Sequence, residues 1–384
     1  MEFDFSWILL GLPLAFVLGW VASRFDLRQL RIDNRQAPKA YFKGLNYLLN
    51  EQQDQAIDAF IEAVQIDPDT SELHFALGNL FRRRGEYERA VRVHEHLLSR
   101  GDLSDADRSR AQHALALDFL KAGLLDRAED ALRKLEGTRF ESEARLALLA
   151  IYERSREWPQ ATEVARKLEA AGEASFTGRL AHYLCEQAAS HAVGGQSAQA
   201  RHLLGQAISD APQSPRPRLQ LATLLEADGE HTQAFQTLCA LAETLPSALP
   251  LAAPALARSA LACGQASQAL ALLTAHYEQA PSLDTLEAIV SLELARGASD
   301  TARDWYIRHL TQEPSLIAAA RWIAGEKLEH EQFHPQVQRA LDHAVKPLNR
   351  YRCAACGFEA KDHFWQCPGC QTWDSYPPRR VEEL

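Results

Sequence analysis

One spacing recurs through most of this chain and restricts its fold more than any other feature. In the two clearest copies a glycine is followed twelve positions later by an alanine, Gly44 with Ala56 and Gly78 with Ala90, and the copies lie 34 residues apart. The equivalent alanine returns at Ala128, Ala161, Ala200, Ala234, Ala269 and Ala302, so successive steps are 34, 38, 33, 39, 34, 35 and 33. A large residue stands three positions after the first member of the pair in Tyr47, Phe81, Phe119 and Tyr152. Twelve residues after the alanine comes proline at Pro68, Pro212, Pro246, Pro281 and Pro314. Self-similarity at this period means stacked copies of one supersecondary unit, none able to bury its apolar face alone.

Each part of the pattern has a mechanical role. A small residue on one helix (A) and an alanine on the next (B) let the two approach closely, and the aromatic fills the space beside them. Gly85, Gly123, Gly229, Gly264 and Gly297 fall at the A–B turn, where left-handed backbone is useful. Proline ends helix B and sends the chain into the next unit. The pattern resembles the tetratricopeptide repeat, although copies three to five lack the first glycine. It predicts an all-α superhelix over residues 37–348, in which the residues from about Leu316 to Leu348 form capping helices. The groove of such an array, lined by the A helices, binds peptide segments or partner helices. Repeat position places Tyr41, Phe75, Asn79 and Arg82 there. The run Arg82-Arg83-Arg84 reads as a solvated helix end.

The N-terminus reads as a membrane anchor. Phe5 to Ser23 holds no charged residue, and these 19 residues form a helix of about 28 Å, close to a hydrocarbon core of about 30 Å. Trp7 and Trp20 stand near its ends, where indole rings favour the headgroup level. A cleavable signal peptide is the rival, but the acidic start (Glu2, Asp4) and the poor cleavage site around Ala22 argue against it. No Lys or Arg precedes the span, whereas Arg24, Arg28, Arg31, Arg35 and Lys39 follow it. The expectation is an anchor over 1–23, a basic juxtamembrane linker over 24–36, a periplasmic N-terminus and a cytoplasmic remainder. The spacing of the four arginines puts them on one helical face, able to meet anionic headgroups.

Four of the seven cysteines close the chain, as Cys353-x2-Cys356-x10-Cys367-x2-Cys370. Two such pairs offer four thiolates to one ion in a closed tetrahedron, a structural or electron-carrying centre more than a Lewis acid, with iron or zinc both compatible with the spacing. The expected domain is 349–384. Reduced thiols agree with the cytoplasm. The remaining Cys185, Cys239 and Cys263 sit singly in helical stretches and read as small hydrophobes. A formal charge of −10 argues against nucleic acid as the main partner.

His330-Glu331-Gln-Phe-His334 matches the HExxH zinc-protease pattern. Pro335 disfavours helical geometry at His334, no metzincin extension follows, and a third ligand could only be guessed at, for instance His343 or Glu359, so catalysis is not expected. No P-loop, nucleophile elbow or dinucleotide fingerprint is present.

The combination of anchor (Trp7–Trp20), the early block from Tyr41 through Tyr47 and Ala56 to Phe60, and the tail from Tyr351 to Trp373 resembles the lipopolysaccharide assembly protein B family of Gram-negative inner membranes. The resemblance covers essentially the whole chain. The tail in turn is similar to a rubredoxin knuckle, with a short spacer and with Gln371 where a second knuckle glycine is common. It implies metal ligation by Cys353, Cys356, Cys367 and Cys370, with iron as the metal. It also implies an inner-membrane adaptor that promotes degradation of the lipid A-committing deacetylase by a membrane-anchored AAA-type metalloprotease, and that gathers other enzymes of lipopolysaccharide synthesis or transport. The alternatives are a general assembly scaffold, an electron-transfer protein and an HExxH protease. The aromatics Tyr351, Phe358, Trp365 and Trp373 are too many for so small a domain to bury alone, and some are expected to dock against the last repeats.

Overall fold

The computed structural model describes residues 13–21, 39, 41–67, 69–326 and 334–384. They form helical hairpins followed by a small metal-knuckle domain, in two compact units, Met1–Arg156 and Glu157–Leu384.

The first unit contains the hairpins 41–49 with Gln53–Ile66, Ser71–Arg83 with Tyr87–Ser99, and Asp105–Ala122 with Leu125–Arg133, then the helix Glu141–Ser155. The second opens on Trp158–Ala170. It continues with the hairpins Thr177–Val193 with Ser197–Asp210, Arg216–Ala227 with His231–Thr244, Leu249–Ala262 with Ala266–Gln279, and Leu283–Ala295 with Ser299–Gln312. The helices Leu316–Gly325 and His334–Leu348 follow.

The predicted alanines all lie in the core. Seven of them, Ala56 through Ala269, have no exposed surface, and Ala302 retains 2%. Phe81, Phe119 and Tyr152 are buried beside them. The turn between A and B is left-handed in every copy, at Gly85, Gly123, Gly195, Gly229, Gly264 and Gly297, and also at the non-glycine residues Glu51 (φ 59°) and Arg156 (φ 60°). These residues give a common register. A β-carbon on Gly78 would stand 2.5 Å from the His94 ring, so this copy places a histidine where only a glycine partner leaves room. Cys185 is buried and Cys239 and Cys263 are half-buried, in keeping with a packing role. Burial pushes the Cys185 thiol up to about 12.

Most of the expected anchor lies outside the described residues. Within it, 13–21 are helical, with Leu14, Phe16, Leu18 and Trp20 exposed. No helix among the described residues is long and apolar enough to cross a membrane. Residues 330–333 of the HExxH match also lie outside the described residues. His334 is helical despite the following Pro335, in the helix His334–Leu348, and its Nε2 lies 3.1 Å from the Ile323 carbonyl.

Candidate functional site

The metal knuckle is built from two short loops. β1 (Tyr351–Arg352) pairs antiparallel with β2 (Glu359–Ala360), Tyr351 opposite Ala360. In the first loop the Cys353 amide donates to the Phe358 carbonyl and the Gly357 amide to the Cys353 carbonyl. In the second, the Cys367 amide donates to Thr372 and the Gln371 amide to Cys367. The fourth residue after each leading cysteine is left-handed: Gly357 (φ 78°) and Gln371 (φ 61°). The second loop therefore keeps knuckle geometry without its glycine, at a cost of about 1 kcal/mol.

All four sulfurs lie within 4.8 Å of one another, with Cys353–Cys370 at 3.8 Å and Cys356–Cys367 at 3.7 Å. A tetrahedral ion with sulfurs at about 2.3 Å separates them by about 3.8 Å. The donor set therefore fits a tetrathiolate centre. Cys353 and Cys367 are buried, and Cys356 and Cys370 are exposed. The Ser375 hydroxyl, 3.3 Å from Cys353 Sγ, pulls that thiol down to about 6, and the Thr372 hydroxyl, 3.3 Å from Cys370 Sγ, lowers Cys370.

The tail is held on the A helices of the second unit. Tyr351 docks on the last A helix, as expected. Its hydroxyl donates to Asp284 at 3.2 Å, while Arg380 grips the same carboxylate at 2.6 and 3.0 Å. Burial and the adjacent Asp284 carboxylate push the Tyr351 phenol up. Glu383 accepts from the Leu283 amide, and Glu382 from the Leu316 and Ile317 amides, so the final acids occupy helix N-termini whose amide groups lack intrahelical partners. Trp373 reaches well beyond the last repeats. Its ring stacks on His182 (4.6 Å between centroids, 15° between planes) and meets Trp158 and Tyr183 edge to face. Asp374 lies 2.9 Å from His182 Nε2, and Arg216 donates to Glu186 at 2.5 Å. Phe358, by contrast, stays 44% exposed.

The groove residues expected in the first unit are partly brought together. Phe75, Asn79 and Arg82 line a cleft of about 530 Å³ with Arg110, His113 and Phe140. Tyr41 instead packs edge to face on Phe60 in the first hairpin. Arg82 is not a solvated helix-end residue. Its guanidinium donates to Asp118 (2.9 Å), the Ala114 carbonyl and Asn79, and Asp118 also bonds His94 Nδ1 at 2.5 Å. Asp118 and His94 are fully buried, so the cation offsets a carboxylate that would otherwise be costly to bury.

Sequence reasoning missed Asp284, His182, Arg216, Arg380 and the final acids. A signal was present. Asp284, His182 and Arg216 each stand thirteen residues before a left-handed A–B turn residue (Gly297, Gly195 and Gly229).

Comparison with known proteins agrees with this architecture. A tetratricopeptide repeat profile matches residues 43–93, and one described as a rubredoxin metal binding domain matches residues 351–377. The lipopolysaccharide assembly protein B of Escherichia coli is 30% identical over 380 residues, 97% of this chain and 98% of that protein. The protein of that name from Haemophilus influenzae is 28% identical over 409 residues, covering 98% of each. The solved TPR2AB-domain:pHSP90-complex of yeast Sti1 covers 71% of this chain and 96% of its own, at 17% identity and a TM-score of 0.35, and adds nothing to the assignment. With the repeats, the four-cysteine tail and near-complete coverage at this identity, the chain belongs to the lipopolysaccharide assembly protein B family.

Proposed function

We propose that this chain is a membrane-tethered adaptor in lipopolysaccharide assembly, acting by binding proteins and not by a reaction of its own. The observation that carries the reading is the cleft on the A helices of the first unit, lined by arginines and aromatic rings. The relatives' name supplies the process. Residues 1–23 act as the anchor, 24–36 as the basic linker, 37–348 as the binding array and 349–384 as the metal domain. The charge-free stretch with arginines on one flank supports an N-terminus in the periplasm and an array in the cytoplasm. Tethering confines the array to two dimensions and raises the effective concentration of membrane partners.

Cys353, Cys356, Cys367 and Cys370 hold one ion in this reading, iron by family resemblance. The ion supplies the fold of a domain too small to carry its own core. The partners are a membrane-anchored AAA-type metalloprotease and the deacetylase that commits carbon to lipid A. The array holds one while the anchor or knuckle meets the other. The test is a pulse-chase of the deacetylase in cells with and without this gene. A severalfold longer half-life in its absence is expected. An unchanged half-life removes the degradation role and leaves a general scaffold.

A further inference from the structure

The position thirteen residues before a left-handed A–B turn residue is equivalent from hairpin to hairpin, and within each unit these positions form a row. In the second unit the row reads His182, Arg216, Leu251 and Asp284, and all four take a residue of the tail. His182 takes Trp373 and Asp374, and Arg216 lies 6.0 Å over the Trp373 ring. Leu251 packs on the cluster of Tyr351, Cys353, Cys367 and Tyr376, and Asp284 holds Tyr351 and Arg380. In the first unit the same row reads Glu72, Arg110 and Glu143. Two of these, Arg110 and Glu143, line the cleft of about 530 Å³.

The cleft offers the residue types, a histidine and arginines, that meet Trp373 and Asp374 in the second unit. Arg110 lies over the Phe75 ring at 4.1 Å and Arg139 over the Phe140 ring at 4.7 Å. His113 stacks on Phe140 at 4.5 Å and 18°. A guanidinium over a ring can still offer N–H groups at its edge to a carboxylate, and an adjoining ring face can accept an aromatic. Arg82 is matched by Asp118 and Arg110 by Glu72, while Arg139 has no ion-pair partner among the described residues.

We propose that this cleft is a peptide site, and that its ligand is an extended segment carrying an aromatic residue beside a carboxylate, as Trp373-Asp374 does for the second unit. The proposal rests on the adaptor reading and deepens it.

The test is fluorescence anisotropy with the full-length protein in detergent micelles. The probe is a labelled peptide with the sequence of residues 371–378. Saturable binding is expected, weakened tenfold or more by Arg139→Glu or Arg110→Ala in the protein. Trp→Ala or Asp→Asn in the peptide should weaken it equally. Arg258→Ala, at an exposed ion pair with Glu226 in the second unit, should leave it unchanged. Absence of binding overturns the proposal, as does binding that the Arg110 and Arg139 variants leave within twofold. Loss with Arg258→Ala overturns it too, because binding then does not depend on the cleft. A failed probe alongside a lengthened deacetylase half-life sinks this site and spares the adaptor reading. A bound probe with an unchanged half-life upholds the site and removes the degradation role.

Discussion

Replacing Asp284 by alanine removes the acceptor at the centre of the docked tail. The carboxylate receives both edges of the Arg380 guanidinium, at 2.6 and 3.0 Å, and the Tyr351 hydroxyl at 3.2 Å. Its side chain is 10% exposed and that of Arg380 is 19% exposed. Without it, Arg380 keeps the Asn349 carbonyl at 3.1 Å, and the phenol loses this acceptor. Removing one partner of a fully buried pair costs about 3–5 kcal/mol, and the partial exposure of Arg380 places this case at the lower end, about 3 kcal/mol. That is roughly a hundredfold increase in opening of the tail. Native-state hydrogen exchange reads it directly. The amides of Leu283 and Val381, bonded to Glu383 and Arg350 at 2.7 Å, should lose about that factor in protection, while amides of Ser71–Arg83 in the first unit do not change. In Asp284→Ala with Arg380→Ala, the double variant should be less open than the sum of the singles. Protection at Val381 within threefold of the parent, or strictly additive effects, would refute the assignment of Asp284 as the anchor point.

Three further predictions follow from local geometry. Arg156→Gly and Gln371→Gly should each stabilise by about 1 kcal/mol in chemical denaturation, because both residues hold left-handed backbone (φ 60° and 61°) that glycine adopts without strain. Gly78→Ala should destabilise. The new β-carbon meets His94 at 2.5 Å, and overpacking of about 1–3 kcal/mol outweighs a helix-propensity gain of about 1 kcal/mol, so Gly78→Ala with His94→Ala should lose less than the sum of the two singles. Burial pushes the His309 imidazole below its usual range. Its contribution to stability is complete above a pH of about 6.5 and is lost as pH falls, because the unfolded chain then takes up a proton that the folded state resists. Denaturation at stepped pH from neutral to mildly acidic should therefore show a shallower slope for His309→Gln than for the parent.

The repeat architecture was legible because its determinants are local and periodic. Eight alanines at a fixed offset mark places where two helices touch, and no contact between distant parts of the chain is needed to read them. The four cysteines were equally legible, since each pair brings two sulfurs together within one turn. The A–B turns were read from five glycines; Gly195 was not among them, and the non-glycine residues Glu51 and Arg156 escaped notice. Packing on either side of the turn holds these residues in a conformation their own propensity disfavours. Arg82 was misread for a similar reason. Three consecutive arginines look solvated in sequence, and only the fold brings the buried Asp118, 36 residues away, against one of them.

What the sequence determined by itself is therefore the unit, its register and its metal-ligand spacing, all set by interactions within a few turns of chain. What the tertiary structure alone decided is where the tail goes. Trp373 meets His182 across 191 residues and Arg380 meets Asp284 across 96, pairings that no periodicity encodes. They form because stacking brings one face of successive A helices of the second unit into a row, and a small knuckle carrying aromatics and acids finds matching rings, cations and helix N-termini along it.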